Sequence, residues 1–291
     1  MNWQPTEMQE AIKELAPTIL AANDWDALAE AGLLDLDDPL DIAALLVESG
    51  RVCSDLPVFE HLSLGAPGNG ARRSGSLQGV EVREGRLFGT LDCLPTAEAT
   101  HLVLPAGPGL VEVDLDDCTR LDQTATDDQT LQIVQLEGVN GRALEADAKR
   151  WRLGVQVGRA ALQLGLAKAA LKMTSQYVSK REQFARPLAT FQAVSQRAAD
   201  AWIDVQSMEV TLWQAAWRLS EGLSCDREVG IAAYWAAEGG HRVLAAAQHL
   251  HGGMGFDRDY PLHRFFLRTK RLEFLYGSAG ETLDRLAVAE G

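Results

Sequence analysis

Arg181, Phe184 and Arg186 fall within six positions of one another in the run Ser179-Lys-Arg-Glu-Gln-Phe-Ala-Arg-Pro-Leu-Ala-Thr-Phe191. Two guanidinium groups around an aromatic ring suit an anionic ligand with a planar ring, such as a nucleotide. A turn built only to reverse the chain is normally made of Gly, Asn and Ser. The plainer alternative is a buried Phe184 beside two solvated arginines. A second stretch, Gln248-His-Leu-His-Gly-Gly-Met-Gly-Phe256, places adjacent glycines at a helix end, where another backbone or a phosphate can come close. A glycine cap explains Gly252 and Gly253 but not the order of the other residues. His249, His251 and His263 make a poor metal set, because no carboxylate or cysteine completes a known ligand spacing.

These residues must be held by helices. Residues 151–178 are nearly free of breakers and rich in Ala and Leu. Pro187 fixes φ and lacks a donor, so that helix cannot run through it. Thr190 is then placed to cap the next helix. In that helix Trp202, Val205, Leu212, Trp213, Ala216 and Leu219 form the predicted core stripe. Gly222 ends it. Asp226 is placed to cap an Ala-rich helix up to Leu250, and Pro261 precedes another at 262–275. A tail helix follows at 281–289.

Upstream, residues 78–138 change character. Short β-type runs at 80–82, 86–91, 101–104, 110–115 and 131–136 are punctuated by Gly, Pro and Asp, predicting an antiparallel sheet of five to seven strands. Residues 66–75 have linker composition. Residues 1–65 read as short helices opened by Thr6, by Asp24 or Asp26, and by Asp41, the third ending near Gly50. This segment holds thirteen acids against Lys13 and Arg51, and reads as a solvated acidic face. The expected fold class is α+β, mostly α. The expected division is a reduced N-terminal helical domain (1–70), a middle antiparallel β-domain (71–146) and a C-terminal four-helix bundle (147–291).

The net charge of -14 disfavours nucleic acid and anionic lipid surfaces. Cys53, Cys93, Cys118 and Cys225 are scattered and contain no Cys-x-x-Cys pair, so neither a disulfide framework nor a zinc site is expected. The first residues lack a basic-then-apolar signal, and no apolar run approaches the ~20 residues that span a bilayer. A cytoplasmic protein is expected.

The run from Arg181 to Val194 resembles the junction between the first two bundle helices of acyl-CoA dehydrogenases. The run from Gln248 to Phe256 resembles that family's Gln-x-x-Gly-Gly-x-Gly-Phe segment. The order helices, sheet, bundle is also the family's. The resemblance implies FAD as cofactor, held across a subunit interface. Arg181 would meet its diphosphate, Phe184 and Gln192 its adenine, and Gln248, His249, Gly252 and Gly253 the adjoining cradle. One departure is that His249, not Gln248, falls at the family's Gln position. The reaction implied is α,β-dehydrogenation of an acyl-CoA, with an electron-transfer flavoprotein as acceptor.

That reaction needs a carboxylate to remove the α-proton. One family position for it holds Tyr276 or Gly277 here, and the other holds Val155. None is a base at neutral pH. No catalytic residue is therefore expected in this chain, although Glu273 and Glu281 lie nearby. The family's Thr-Glu-Pro-like segment has no counterpart, and Cys93-Leu94-Pro95 stands where Trp-Ile-Thr would lie under the flavin ring. The pattern resembles the short subunit of the two-plus-two acyl-CoA dehydrogenases of bacterial steroid and cholesterol degradation, whose larger partner would carry the base. Two alternatives stay open: a self-sufficient homotetramer using Glu273 or Glu281, and a flavin-free interaction subunit.

Overall fold

The computed structural model describes residues 5–65, 72–96 and 98–290, the last three by backbone alone. Most of the expected linker, 66–71, lies outside the described residues. Three helices come first: α1 (Glu7–Ala22), α2 (Trp25–Glu30) and α3 (Pro39–Val52). Thr6 caps α1 in a capping box with Gln9, and Asp24 caps α2. The third start differs from the expectation. Asp38 is the cap and Pro39 the first helical residue, where a missing N–H costs nothing. A turn of π-helix, Glu60–Leu64, follows.

α3 ends at Val52, near Gly50 as expected. Gly50 itself lies at a helix crossing. A Cβ on Gly50 would stand 2.2 Å from the Leu162 carbonyl oxygen, and one on Gly165 would stand 2.1 Å from that of Val47. Backbones this close admit only glycine, so α3 is clamped onto α4 (Ala148–Lys180).

The strands form two four-stranded sheets, more than the sequence suggested. The first has the order β1 (Arg73–Gly75), β4 (His101–Ala106), β5 (Gly109–Asp114), β8 (Arg142–Asp147). The second runs β2 (Glu81–Arg83), β3 (Arg86–Leu94), β7 (Thr130–Asn140), β6 (Thr119–Thr124). All pairs are antiparallel except β1 with β4, which is parallel and corrects the purely antiparallel expectation. Alternation explains why β4 is apolar throughout. Leu102 and Leu104 point into a small core shared by the two sheets, while Val103 points into the helical core.

The remaining helices are α5 (Gln192–Ser220), α6 (Asp226–His251), α7 (Leu262–Tyr276) and α8 (Ala279–Glu290). One continuous core joins α1 and α3 to the bundle. The stripe on α5 is only partly as expected: Val205, Leu212, Ala216 and Leu219 are buried, but Trp202 is 56% exposed. Asp226 does not cap α6. Cys225 holds that position, and Asp226 pairs with Lys149 at 2.8 Å. Among the described residues, no helix is long and apolar enough to cross a membrane.

Candidate functional site

The turn after α4 is a miniature hairpin. β9 (Glu182–Gln183) pairs with β10 (Arg186–Pro187), leaving Phe184 and Ala185 as its two central residues. Both have positive φ, +54° and +60°. Hairpins with this geometry normally use Asn-Gly, because a side chain in the left-handed region is strained by on the order of 1–3 kcal/mol. The strain projects the Phe184 ring outward, 88% exposed. Phe184 is therefore not the buried ring of the plainer alternative. Phe191 stands edge-on to Phe184 at 6.2 Å, and the Arg186 guanidinium covers the Phe191 ring at 4.0 Å.

Arg181 is the residue just past α4. Its N–H donates to the Tyr177 carbonyl and its own carbonyl accepts from Leu188 N–H, both at 2.8 Å. The backbone is thus fixed at both ends of the hairpin. The exposed Arg181 side chain makes no hydrogen bond or ion pair among the described residues. Thr190 does not cap α5. Its hydroxyl donates to the Pro187 carbonyl at 2.7 Å, and Phe191 takes the cap position. Gln192 opens α5 and is exposed.

The glycine segment folds back on the end of α6. Gly252 has φ +59° and ψ -133°, a conformation reserved for glycine. A Cβ on Gly255 would stand 2.5 Å from the Gln248 carbonyl oxygen. His249, Gly252, Gly253 and Phe256 are exposed, and Gln248 is half-buried.

His251 joins the two stretches, a role that sequence reasoning did not give it. Its ring stacks on Tyr177, the last turn of α4, at 4.4 Å and 23°. Nδ1 lies 2.8 Å from the Ala247 carbonyl oxygen, which only a ring N–H can satisfy. Nε2 is then the acceptor for the Tyr260 hydroxyl at 3.1 Å. Burial holds this imidazole below the ordinary histidine range. A neutral, fixed tautomer pins the hairpin and the glycine turn at one end of the bundle. The sequence signal was available only in part: an aromatic residue four places before Arg181 and a Tyr nine places after His251.

The other candidate region is more fully paired. Segments 75–78, 92–95 and 274–276 line a half-open cavity of about 250 Å³. Two backbone donors that could face a ring there, at Asp92 and Cys93, are taken up within the chain. The Gln78 amide donates to the Asp92 carbonyl at 2.9 Å and accepts from Asp92 N–H at 3.3 Å. Cys93 N–H donates to Gln123 Oε1 at 3.1 Å, and Pro95 has no N–H. Tyr276 is buried and Gly277 turns the chain at φ +114°. Val155 is wholly inside the core. Glu273 is tied to Lys270 at 2.7 Å. Glu281 accepts from Ser278 N–H at 2.9 Å, and these hydrogen bonds hold its carboxyl below the usual range. Neither glutamate lines the cavity. Among the described residues, no cluster of His, Cys, Asp and Glu could hold a metal ion.

Residues 132–289, more than half of the chain, match the family described as acyl-CoA dehydrogenase, C-terminal domain. The chain belongs to the acyl-CoA dehydrogenase family. Its cofactor is accordingly FAD. The chain is 47% identical over 138 residues to acyl-CoA dehydrogenase FadE27 of Mycobacterium tuberculosis, a match covering 45% of this chain but only 37% of that relative. Among solved structures, it resembles the Tcur3481-Tcur3483 steroid ACAD variant with a TM-score of 0.83 and 33% identity, over 98% of this chain and 96% of that one. It resembles the ChsE4-ChsE5 complex from Mycobacterium tuberculosis with a TM-score of 0.88 and 29% identity, over the whole of both chains.

The residues present fit FAD in one place and not in the other. The exposed end offers an unengaged guanidinium, a projected ring and glycine-only backbone, which suit a diphosphate and an adenine. In the other region the Asp92 and Cys93 amides are already bonded within the chain and Pro95 has no N–H, so these three positions offer a flavin ring no donor.

Proposed function

We propose that this chain is the short subunit of a heteromeric acyl-CoA dehydrogenase acting on a bulky, steroid-derived acyl-CoA. Arg181 binds the FAD diphosphate. Phe184 and Gln192 lie by the adenine, and Gln248, His249, Gly252 and Gly253 form the neighbouring cradle. When bound, FAD accepts the hydride from the thioester's β-carbon. The larger partner subunit supplies the carboxylate that takes the α-proton, in a two-plus-two assembly. An electron-transfer flavoprotein as acceptor, a cytoplasmic location and the three-part division at 70 and 146 belong to the same proposal.

The observation that carries this reading is the contrast in one chain between an open nucleotide-type surface and a centre whose Asp92 and Cys93 amides are taken and whose expected base positions hold no carboxylate. The names of the two solved complexes support the heteromer and the steroid substrate. The test is expression with and without the partner gene product. Alone, the chain is expected to be colourless and inactive. Together, the pair should be yellow and reduce an electron acceptor with acyl-CoA. A yellow, active chain purified by itself contradicts the proposal and favours a homotetramer.

A further inference from the structure

Where the π-helical turn, the sheet loops and α7 meet, there is a half-open cavity of about 270 Å³. Six charged side chains line it: Asp55, Glu60, Glu98 and Asp128 against Arg268 and Arg271. Four of them are matched. Glu98 pairs with Arg72 at 2.9 Å, Arg271 with Asp127 at 3.1 Å, and Asp128 with Arg258. Arg264 holds both oxygens of Asp55, at 2.7 and 2.8 Å.

The other two are not. Glu60 is 7% exposed, yet its side chain makes no hydrogen bond or ion pair among the described residues, and its Oε2 is buried without a partner. Arg268 is 5% exposed. Its Nη1 donates to the Ser54 carbonyl and comes only within 3.9 Å of Asp55, a carboxylate that Arg264 already holds. Its Nε is buried and unpaired. No ion pair joins Glu60 to Arg268 or Arg271 across the cavity.

A buried charge without a partner is costly, and one carboxylate facing one guanidinium at a distance leaves both uncompensated. A pair that only tied the elements together would close on itself, as Arg264 and Asp55 do. Glu60 and Arg268 instead stand on different elements, the π-helical turn and α7, with space between them. A lone cation would leave Arg268 unanswered, and a lone anion would leave Glu60 so. A molecule carrying both charges answers both. The volume bounds its size: it equals roughly nine waters at ~30 Å³ each, below the ~300–1,000 Å³ of pockets for drug-sized ligands.

We propose that this cavity is a binding site for a small amino-acid zwitterion, with its ammonium on Glu60 and its carboxylate on Arg268. The site shares no residue with the hairpin or the glycine turn, so the proposal stands whether or not the chain holds FAD.

The test is equilibrium dialysis of the purified full chain, with its partner subunit where the two co-purify. The probes are glycine, β-alanine and 4-aminobutyrate, with ethylammonium and acetate as singly charged controls. At least one of the three zwitterions should saturate at one molecule per copy of this chain, and bind about tenfold or more tightly than either control. Glu60→Gln keeps the shape and removes the charge, and should weaken that binding by about tenfold or more. Glu98→Trp places bulk at the exposed rim, should weaken binding too, and decides the matter if the Glu60 variant does not fold. Ethylammonium or acetate binding as tightly as the zwitterions overturns the proposal, as does zwitterion binding that either folded variant leaves unchanged. The absence of saturable binding by all three zwitterions would mean that the cavity holds water alone, and overturns it as well.

Discussion

The two ends of helix α4 treat polar groups in opposite ways. At its C-terminal end the chain tolerates strain to leave groups unused: Phe184 sits in a left-handed conformation with its ring in solvent, and Arg181 is unengaged. Near Val155 and Arg159, about 33 Å away along the helix, the chain spends side chains to use groups up. Gln78 and Gln123 occupy strand amides, and Arg159 occupies the Gly277 carbonyl. An exposed guanidinium without a protein partner is free to meet an anion, whereas amides already bonded to long side chains are not.

The largest expected break in this contrast is at Arg181. Arg181→Ala should strip FAD from the complex, because losing one partner of a charge-assisted bond to a buried anion costs on the order of 2–5 kcal/mol. The unfolding temperature of the isolated chain should hardly move, since the exposed side chain makes no hydrogen bond or ion pair there. Retained flavin, read as absorbance per protein, would favour a flavin-free interaction subunit.

His251 should come next. His251→Ala removes a ring stack and two hydrogen bonds from a buried position, an expected loss of roughly 2–4 kcal/mol, together with weaker FAD binding. The pH dependence has a definite sign. The folded pKa lies below the unfolded value near 6.5, so the contribution is full above about pH 6.5 and is lost as pH falls below it. Chemical denaturation between pH 7 and 5 should show a shallower loss in His251→Gln than in the unchanged chain.

Smaller still is the effect of freeing an amide at the other end. Gln78→Ala should lower stability by about 1 kcal/mol without adding flavin. Extra flavin in that variant would mean that the amides of 92–93 had kept their ligand. The smallest effect is expected at the two glutamates. Glu273→Gln and Glu281→Gln should leave the turnover of the complex within a factor of about two, whereas a true base would cost ~10²-fold or more.

Much of this contrast was legible in the sequence, and the failures share a cause. Caps at Thr6 and Asp24, the break at Pro187 and the β-type runs are local signals, and they held. Strands β6 and β8 were missed because they are almost wholly exposed, so no apolar alternation marks them, and buried β1 was read as linker because only its pairing with β4 reveals it. Gly50 marked the helix end closely, but its place at a crossing is revealed only by the partner helix. Trp202 read as core because its helical phase is right, yet the buried part of that stripe begins only at Val205 and leaves its ring exposed. The Phe184-Ala185 turn could not be read at all, since neither residue prefers positive φ. The function of His251 depends on Tyr177 and Tyr260, 74 residues before it and nine after, and emerges only in the packed structure.

The flavin content of the co-purified complex tests the central contrast most directly. One FAD for every two chains is the expected ratio, from one open surface and one centre with its amides taken per pair. A ratio of one FAD for every chain would show that this subunit fills a complete flavin site of its own, and would contradict the account.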